Sequence, residues 1–378
     1  MQFRDLGAQY LRLKEEIDAN IKATIESGRF ISGPFVKQLE GELAEYVGVA
    51  HCVTCANGTD ALELVLRAWG IGAGDAVFVP AFTFMSTAEV VATVGAYPVF
   101  VDICEDTFNI DPDSLESAIS NVEKEGRFVP RAIIPVDLFG QPADYDAILP
   151  IAKKHGLKVL EDGAQGFGGA IRGKRACSFG NASTTSFFPA KPLGCYGDGG
   201  AIFTDDDNLA PLVRSLCVHG KGREKYENIR IGRNSRLDTI QAGILLPKFH
   251  ALRDYEIDEV NRVAAAYSEK LKDMVVVPSV REGFLSSWAQ YTIMCVNEEM
   301  RDRLQARLKE QNIPAMVYYP RPLHLQQAFA ACGHKAGDLP VAEAACKRVL
   351  SLPMHPYMCE ADVAKVASTI VNALRQLR

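Results

Sequence analysis

Residues 50–66, AHCVTCANGTDALELVL, hold one full unit of the fold. The apolar run from Ala50 to Ala56 reads as a buried strand and Asn57-Gly58 as a turn. Ala61, Leu62, Val65 and Leu66 then recur at helical spacing. The alternation repeats outward. Ala76 to Val79 and Pro98 to Val101 read as buried strands around a helix near Ser86 to Val94. Arg131 to Val136 and Leu157 to Leu160 are two more strands, separated by a helix from Asp144 to His155. Upstream, Leu11, Ile17, Ile21 and Ile25 mark a helix that Ser27-Gly28 ends, and Pro34 stands at the first position of the next. Asp111-Pro112 opens another. Strands alternating with helices predict a mostly parallel sheet, with its functional crevice beyond the strands' carboxyl ends.

From about Leu245 the pattern changes. A long charged helical stretch leads to a strand at Ala289 to Val296, then helices near Glu298 to Gln311, Val341 to Val349 and Glu360 to Leu377. This predicts a large domain over 1–245 and a smaller α+β domain over 246–378. No internal repeat is visible.

The 378 residues are 48% apolar and 23% charged, a globular composition. Lys plus Arg is 41 and Asp plus Glu is 47, a net charge of −6, which disfavours nucleic acid and anionic membranes as partners. The most apolar stretch, Ala76 to Val101, is broken by Pro80, Glu89, Gly95 and Pro98, so it reads as buried protein, not as a membrane span. Met1 to Tyr10 has no secretory character, and ten scattered cysteines read as reduced thiols in a cytoplasm. The lone Cys52-x-x-Cys55 reads as two thiols on a buried strand, and no metal-ligand set is evident.

Four places carry residues that packing alone does not require. Asn57-Gly58-Thr59-Asp60 follows a strand and opens a helix, where amides and the helix dipole bind phosphate; the alternative is a plain cap by Thr59 or Asp60. Glu161-Asp162 ends an apolar strand, so Asp162 could face a cationic ring nitrogen, a metal or the next segment's amides. Lys191 lies between prolines, after Ser186-Phe187-Phe188 and before a glycine-rich run. An apolar pocket would favour its neutral form and Schiff-base chemistry, whereas a surface loop would leave it an ordinary lysine. Asn234-Ser235-Arg236-Leu237-Asp238 precedes a long helix and offers either anion donors or a cap from Asn234 or Ser235. Gly70-x-Gly72-x-Gly74 follows a helix, not the first strand, which argues against a nicotinamide dehydrogenase.

Taken in order, Gly58-Thr59-Asp60-Ala61-Leu62, Pro80-Ala81-Phe82-Thr83-Phe84, Glu161-Asp162-x-Ala164-Gln165, Ser186-Phe187-Phe188-Pro189-x-Lys191 and Asn234-x-Arg236-Leu237 resemble the DegT/StrS-type sugar aminotransferases. The resemblance runs from Phe3 to His355. It implies the aspartate-aminotransferase-like fold type I of pyridoxal-phosphate (PLP) enzymes, with a large, mostly parallel domain and a small C-terminal one.

It also implies roles. Lys191 would hold PLP and act as acid and base. Asp162 would keep the ring nitrogen protonated, Phe84 would stack on the ring, and Gln165 would contact its phenolic oxygen. Gly58, Thr59 and Ser186 would hold the phosphate with Asp60 close by, and Asn234 would reach the phosphate of a neighbouring subunit, so that a homodimer shares its two sites. Arg236, Tyr318, Arg321 and His324 would face substrate. The implied reaction takes the amine of L-glutamate to a keto group on a nucleotide-linked sugar. The segments around Lys191 and Asn234 look closest to enzymes acting on UDP-2-acetamido-2-deoxy-3-oxo-D-glucuronate for bacterial surface polysaccharides. Where many relatives have His-Tyr-Pro, this chain has Tyr318-Tyr319-Pro320, so another UDP- or dTDP-keto-hexose stays open. So does a regulatory protein that binds PLP without turnover.

Overall fold

A computed structural model describes residues 1–224 and 226–377. Helices α1 (Leu6–Ser27) and α2 (Pro34–Val47) precede the first strand. Then β1 (His51–Cys55) leads into α3 (Gly58–Ala68), β2 (Asp75–Pro80) into α4 (Ser86–Thr93), and β3 (Tyr97–Val101) into α5 (Pro112–Glu125). β4 (Val129–Ile133) leads into α6 (Tyr145–His155), and β5 (Lys158–Asp162) into a ribbon of β6 (Ala170–Ile171) and β7 (Lys174–Arg175). β8 (Ala182–Ser186), β9 (Gly200–Thr204) and α7 (Leu209–Cys217) follow. The seven-stranded central sheet has the order β1-β9-β8-β5-β4-β2-β3, and β9 alone runs against its neighbours. This is the mostly parallel sheet that the alternation predicts.

The expected helix boundaries have local causes. Asp5 caps α1 by accepting from the Ala8 amide at 2.8 Å, and Gly28 ends it in the left-handed region at φ +64°. Pro34 occupies the first turn of α2. Ala76 to Val79 of β2 are fully buried, as a parallel strand covered on both faces requires. Cys52 and Cys55 lie buried on β1 as free thiols.

β8 is absent from the hydrophobic pattern because it reads Ala-Ser-Thr-Thr-Ser. Its buried hydroxyls are satisfied locally. Ser183 Oγ donates to Glu161 Oε2 at 2.8 Å, and Thr185 Oγ1 to the Gly163 carbonyl at 3.2 Å.

Helix α8 (Thr239–Ala251) continues through a π-turn at Leu252–Glu256 into α9 (Ile257–Leu271). Its cap position is Asp238. Ser235, an expected cap, instead accepts from the Ala56 amide at 3.1 Å, tying this segment to the end of β1. The division expected at 245/246 thus falls inside a helix. Leu245, Phe249, Leu252 and Ile257 pack in the large-domain core, and Val260 and Val263 are the first in the other. We propose the boundary between these two groups. Beyond it the chain adds β10 (Phe284–Leu285), which pairs with β6, and the antiparallel pair β11 (Tyr291–Met294) and β12 (Val349–Leu352). Helices α10 (Glu298–Glu310), α11 (Pro340–Arg348) and α12 (Glu360–Leu377) cover that pair. Among the described residues no helix is long and apolar enough to cross a membrane.

Candidate active site

The carboxyl ends of β1, β5 and β8 open onto a cavity of about 460 Å³. Asn57 caps α3 there: its Oδ1 accepts from the Asp60 amide at 2.7 Å, so neither Thr59 nor Asp60 is the cap. Gly58 and Thr59 lie on the cavity wall, and Thr59 Oγ1 shares a hydrogen bond of 2.7 Å with Ser86 Oγ. A Cβ on Gly58 would fall 2.7 Å from Ser186 Cβ, and one on Gly200 2.6 Å from the Asn57 backbone. Two glycines therefore let a helix N-terminus and a serine hydroxyl converge, an arrangement suited to phosphate.

Asp162 ends β5 and is buried. Its Oδ2 accepts from Thr87 Oγ1 at 2.9 Å and its Oδ1 from the Ala164 amide at 3.2 Å. Burial pushes its pKa up, opposed by the Thr87 bond and by the charge of Lys191. Gln165 is held at both ends: Oε1 accepts from the Phe139 amide at 2.8 Å, and Nε2 donates to the Tyr319 hydroxyl at 3.2 Å. Phe84 forms part of the outer wall, half-exposed, its ring 6.3 Å from that of Tyr319.

Lys191 lies on the loop between β8 and β9. Its amide donates to the Phe188 carbonyl at 2.9 Å, and a Cβ on Gly194 would sit 2.4 Å from the Pro189 oxygen, so the loop closes only with glycine there. Enclosure by protein pulls the amine's pKa down; Asp162 opposes this and Arg4 adds to it. Lysine and carboxylate thus sense each other across one cavity.

Of the residues expected to act, Gly58, Thr59, Phe84, Asp162, Gln165, Ser186, Lys191 and Tyr318 line this cavity. Asp60 sits in the first turn of α3, behind the lining. Asn234 is exposed and bridges Val218, and Arg236 is half-buried outside the lining. Arg321 is exposed. His324 is buried away from the cavity, with Nε2 3.1 Å from Glu343 Oε1 and its ring beside Phe100 and His334. The sequence reading missed Asn57 as the cap, Thr87 as the partner of Asp162, and Gln290 on the wall. Asn57 was findable: an Asn before Gly at a strand end is a strong cap signal. Among the described residues no cluster of His, Cys, Asp or Glu could hold a metal ion.

These residues fit pyridoxal phosphate. A cradle with no room for a Cβ suits its phosphate, a buried carboxylate its ring nitrogen, and an enclosed lysine its aldehyde.

The profile of the DegT/DnrJ/EryC1/StrS aminotransferase family matches residues 11–371. A UDP-2-acetamido-2-deoxy-3-oxo-D-glucuronate aminotransferase of Pseudomonas aeruginosa is 47% identical over 373 residues, 98% of this chain and 100% of its own. A pleiotropic regulatory protein of Geobacillus stearothermophilus is 47% identical over 375 residues, 98% of each chain. The crystal structure of a DegT DnrJ EryC1 StrS aminotransferase from Brucella abortus matches with a TM-score of 0.94 at 52% identity, covering 98% of this chain and 99% of that one.

Proposed function

The chain belongs to the DegT/DnrJ/EryC1/StrS aminotransferase family, and from that premise we propose that it passes the amino group of L-glutamate to the keto carbon of UDP-2-acetamido-2-deoxy-3-oxo-D-glucuronate, in bacterial surface polysaccharide synthesis. It is a PLP-dependent sugar aminotransferase. When bound, PLP supplies the electron sink that lets a C–H bond next to the amine break. The protein's own groups do the rest. Lys191 anchors the cofactor and, once released, its neutral amine carries the proton between carbons. Asp162, held by Thr87, keeps a proton on the ring nitrogen. Gly58, Thr59 and Ser186 bind the phosphate, Phe84 covers one ring face, and Gln165 faces the phenolic oxygen.

We propose a homodimer with shared sites. Phe84 and Phe188 leave the cavity rim half-exposed, and Phe30, Ile31, Ile229 and Ile231 add exposed apolar surface. A second copy would cover these and bring its own Asn234 to the phosphate. Arg236 and Arg321 would then meet a carboxylate of glutamate or the sugar. Ten free thiols, most of them buried, fit a reducing cytoplasm.

The observation that carries the reading is that Lys191 and Asp162 line one cavity, each acting on the other's charge. Its test is an absorption spectrum before and after L-glutamate, followed by turnover with the UDP-keto-sugar. A cofactor band that bleaches with glutamate is expected. Lys191→Ala should lose covalent attachment and turnover, and full activity in that variant would sink the reading. A second reading, a non-catalytic PLP-binding regulator, draws on the Geobacillus relative. Glutamate-dependent 2-oxoglutarate formation with a sugar acceptor excludes it.

A further inference from the structure

Arg4 precedes the first helix, yet its Nη2 donates to the Pro192 carbonyl at 3.2 Å, one residue from Lys191. With prolines at 189 and 192 the lysine loop has few backbone donors of its own, so a side chain satisfies this oxygen. The segment carrying Arg4 is fixed from several sides. The Phe3 carbonyl accepts from the Met354 amide at 3.1 Å, and the Phe3 ring meets the cavity residue Tyr318 edge-on at 6.1 Å. Asp5 is committed to capping α1, and Gln9 Nε2 donates to Glu256 Oε1 at 2.8 Å in the π-turn. Residues 3–9 thus tie the lysine loop to the α8–α9 junction and to the small domain.

The charge around this tie is unbalanced. Lys248 on α8 is 1% exposed, its Nζ has no hydrogen-bond partner among the described residues, and it lies 4.7 Å from the centre of the Tyr196 ring. Glu256 is buried and accepts from both Gln9 and the Tyr357 hydroxyl, and it acts on Arg4 only through space. His355, also buried, has a pKa lowered to about 4, chiefly by burial, so it is neutral at pH 7. Two cations, Arg4 and Lys248, therefore share the Glu256 carboxylate. On the cavity side Lys191 senses Asp162 of β5, with Asp198, Tyr318 and Tyr319 in the same lining.

We propose that Arg4 is a positioning residue for Lys191: through the Pro192 carbonyl it fixes the lysine loop and sets a permanent positive charge behind it. The inference rests on Lys191 being the residue that holds the cofactor and moves the proton. What Arg4 adds is the state in which the lysine waits.

The test is competitive acylation of the full-length protein, freed of PLP, with limiting acetic anhydride across pH, read at Lys191 by mass spectrometry. It gives the amine's titration midpoint without turnover. Arg4→Gln removes the charge, and the midpoint should rise. Arg4→Lys keeps the charge and should stay near the wild-type midpoint. Glu256→Gln removes the opposing carboxylate and should lower it, which keeps the proposal testable should Arg4→Gln fail to fold. An unmoved midpoint in Arg4→Gln, an equal rise in Arg4→Lys, or no fall in Glu256→Gln overturns it. A wild type that takes up no PLP on Lys191 would instead overturn the function proposed above, and the midpoints separate the two failures.

Discussion

Gly58 and Ser186 stand so close that a methyl group on the first would lie 2.7 Å from the Cβ of the second. The proposed phosphate cradle is therefore closed to any larger residue. Gly58→Ala should cost about 1–3 kcal/mol of strain and weaken PLP binding about tenfold or more, since the strain falls where phosphate must sit. Titration of the cofactor-free protein with PLP measures this. Unchanged affinity would mean that the phosphate binds elsewhere.

Asp162 is a buried carboxylate whose pKa lies above its ordinary value because burial penalises its charge. A group with a raised folded pKa binds more protons folded than unfolded, so it lowers stability as pH rises through that window. Asp162→Asn should therefore stabilise the cofactor-free protein at pH 7 while reducing turnover about a hundredfold or more. Thermal melts paired with steady-state rates separate the two effects. A variant both less stable and fully active would contradict the role given to this residue.

His355 carries the opposite sign. Its folded pKa of about 4 lies below the ordinary 6.5, so the unfolded chain binds more protons between those values. Stability should fall as pH drops from about 6.5 toward 4, by about 1–3 kcal/mol in all. His355→Gln should flatten the melting temperature over this window. A slope matching wild type would assign the acid sensitivity to other groups.

His324 holds Glu343, which in turn accepts from the amides of Gly337 and Leu339. That arrangement anchors a loop and does not reach the cavity. His324→Ala should cost about 1–3 kcal/mol in stability and leave the KM for the sugar unchanged. A raised KM would restore the substrate contact expected from the sequence.

Ile231 is 89% exposed on a segment with Ile229, 56% exposed. If a second copy covers them, Ile231→Asp should raise the dimer dissociation constant about tenfold or more, and sedimentation should shift toward single-chain mass. Cofactor retention should weaken alongside, because Asn234 would no longer reach the neighbouring site. An intact dimer would move the interface off this segment.

The sheet was legible where strands are buried on both faces, as in β2, because nothing but apolar residues can stand there. β8 was not, because its serines and threonines are buried against Glu161 and a hydroxyl does not announce its partner. The candidate site was legible at strand ends, where Asp162 closes an apolar strand and Gly58 opens a helix. Thr87 sits within an ordinary helical pattern, and only the order β5-β4-β2 brings it to Asp162. Arg4 was unreadable for the same reason: its importance lies in a carbonyl distant in sequence.

The edge position of β1 bears on how the molecule comes into being. Among the described residues that strand is held in the sheet only by β9, with His51 opposite Thr204 and Cys55 opposite Gly200, roughly 150 residues downstream. Asn57 also rests on Gly200. A chain emerging from the ribosome thus carries the turn proposed to bind phosphate early but cannot seat it until β9, the last strand of the central sheet, has been made. If that turn holds the cofactor, its uptake is a late event in biogenesis, and the colour it brings marks chains whose topology is already closed.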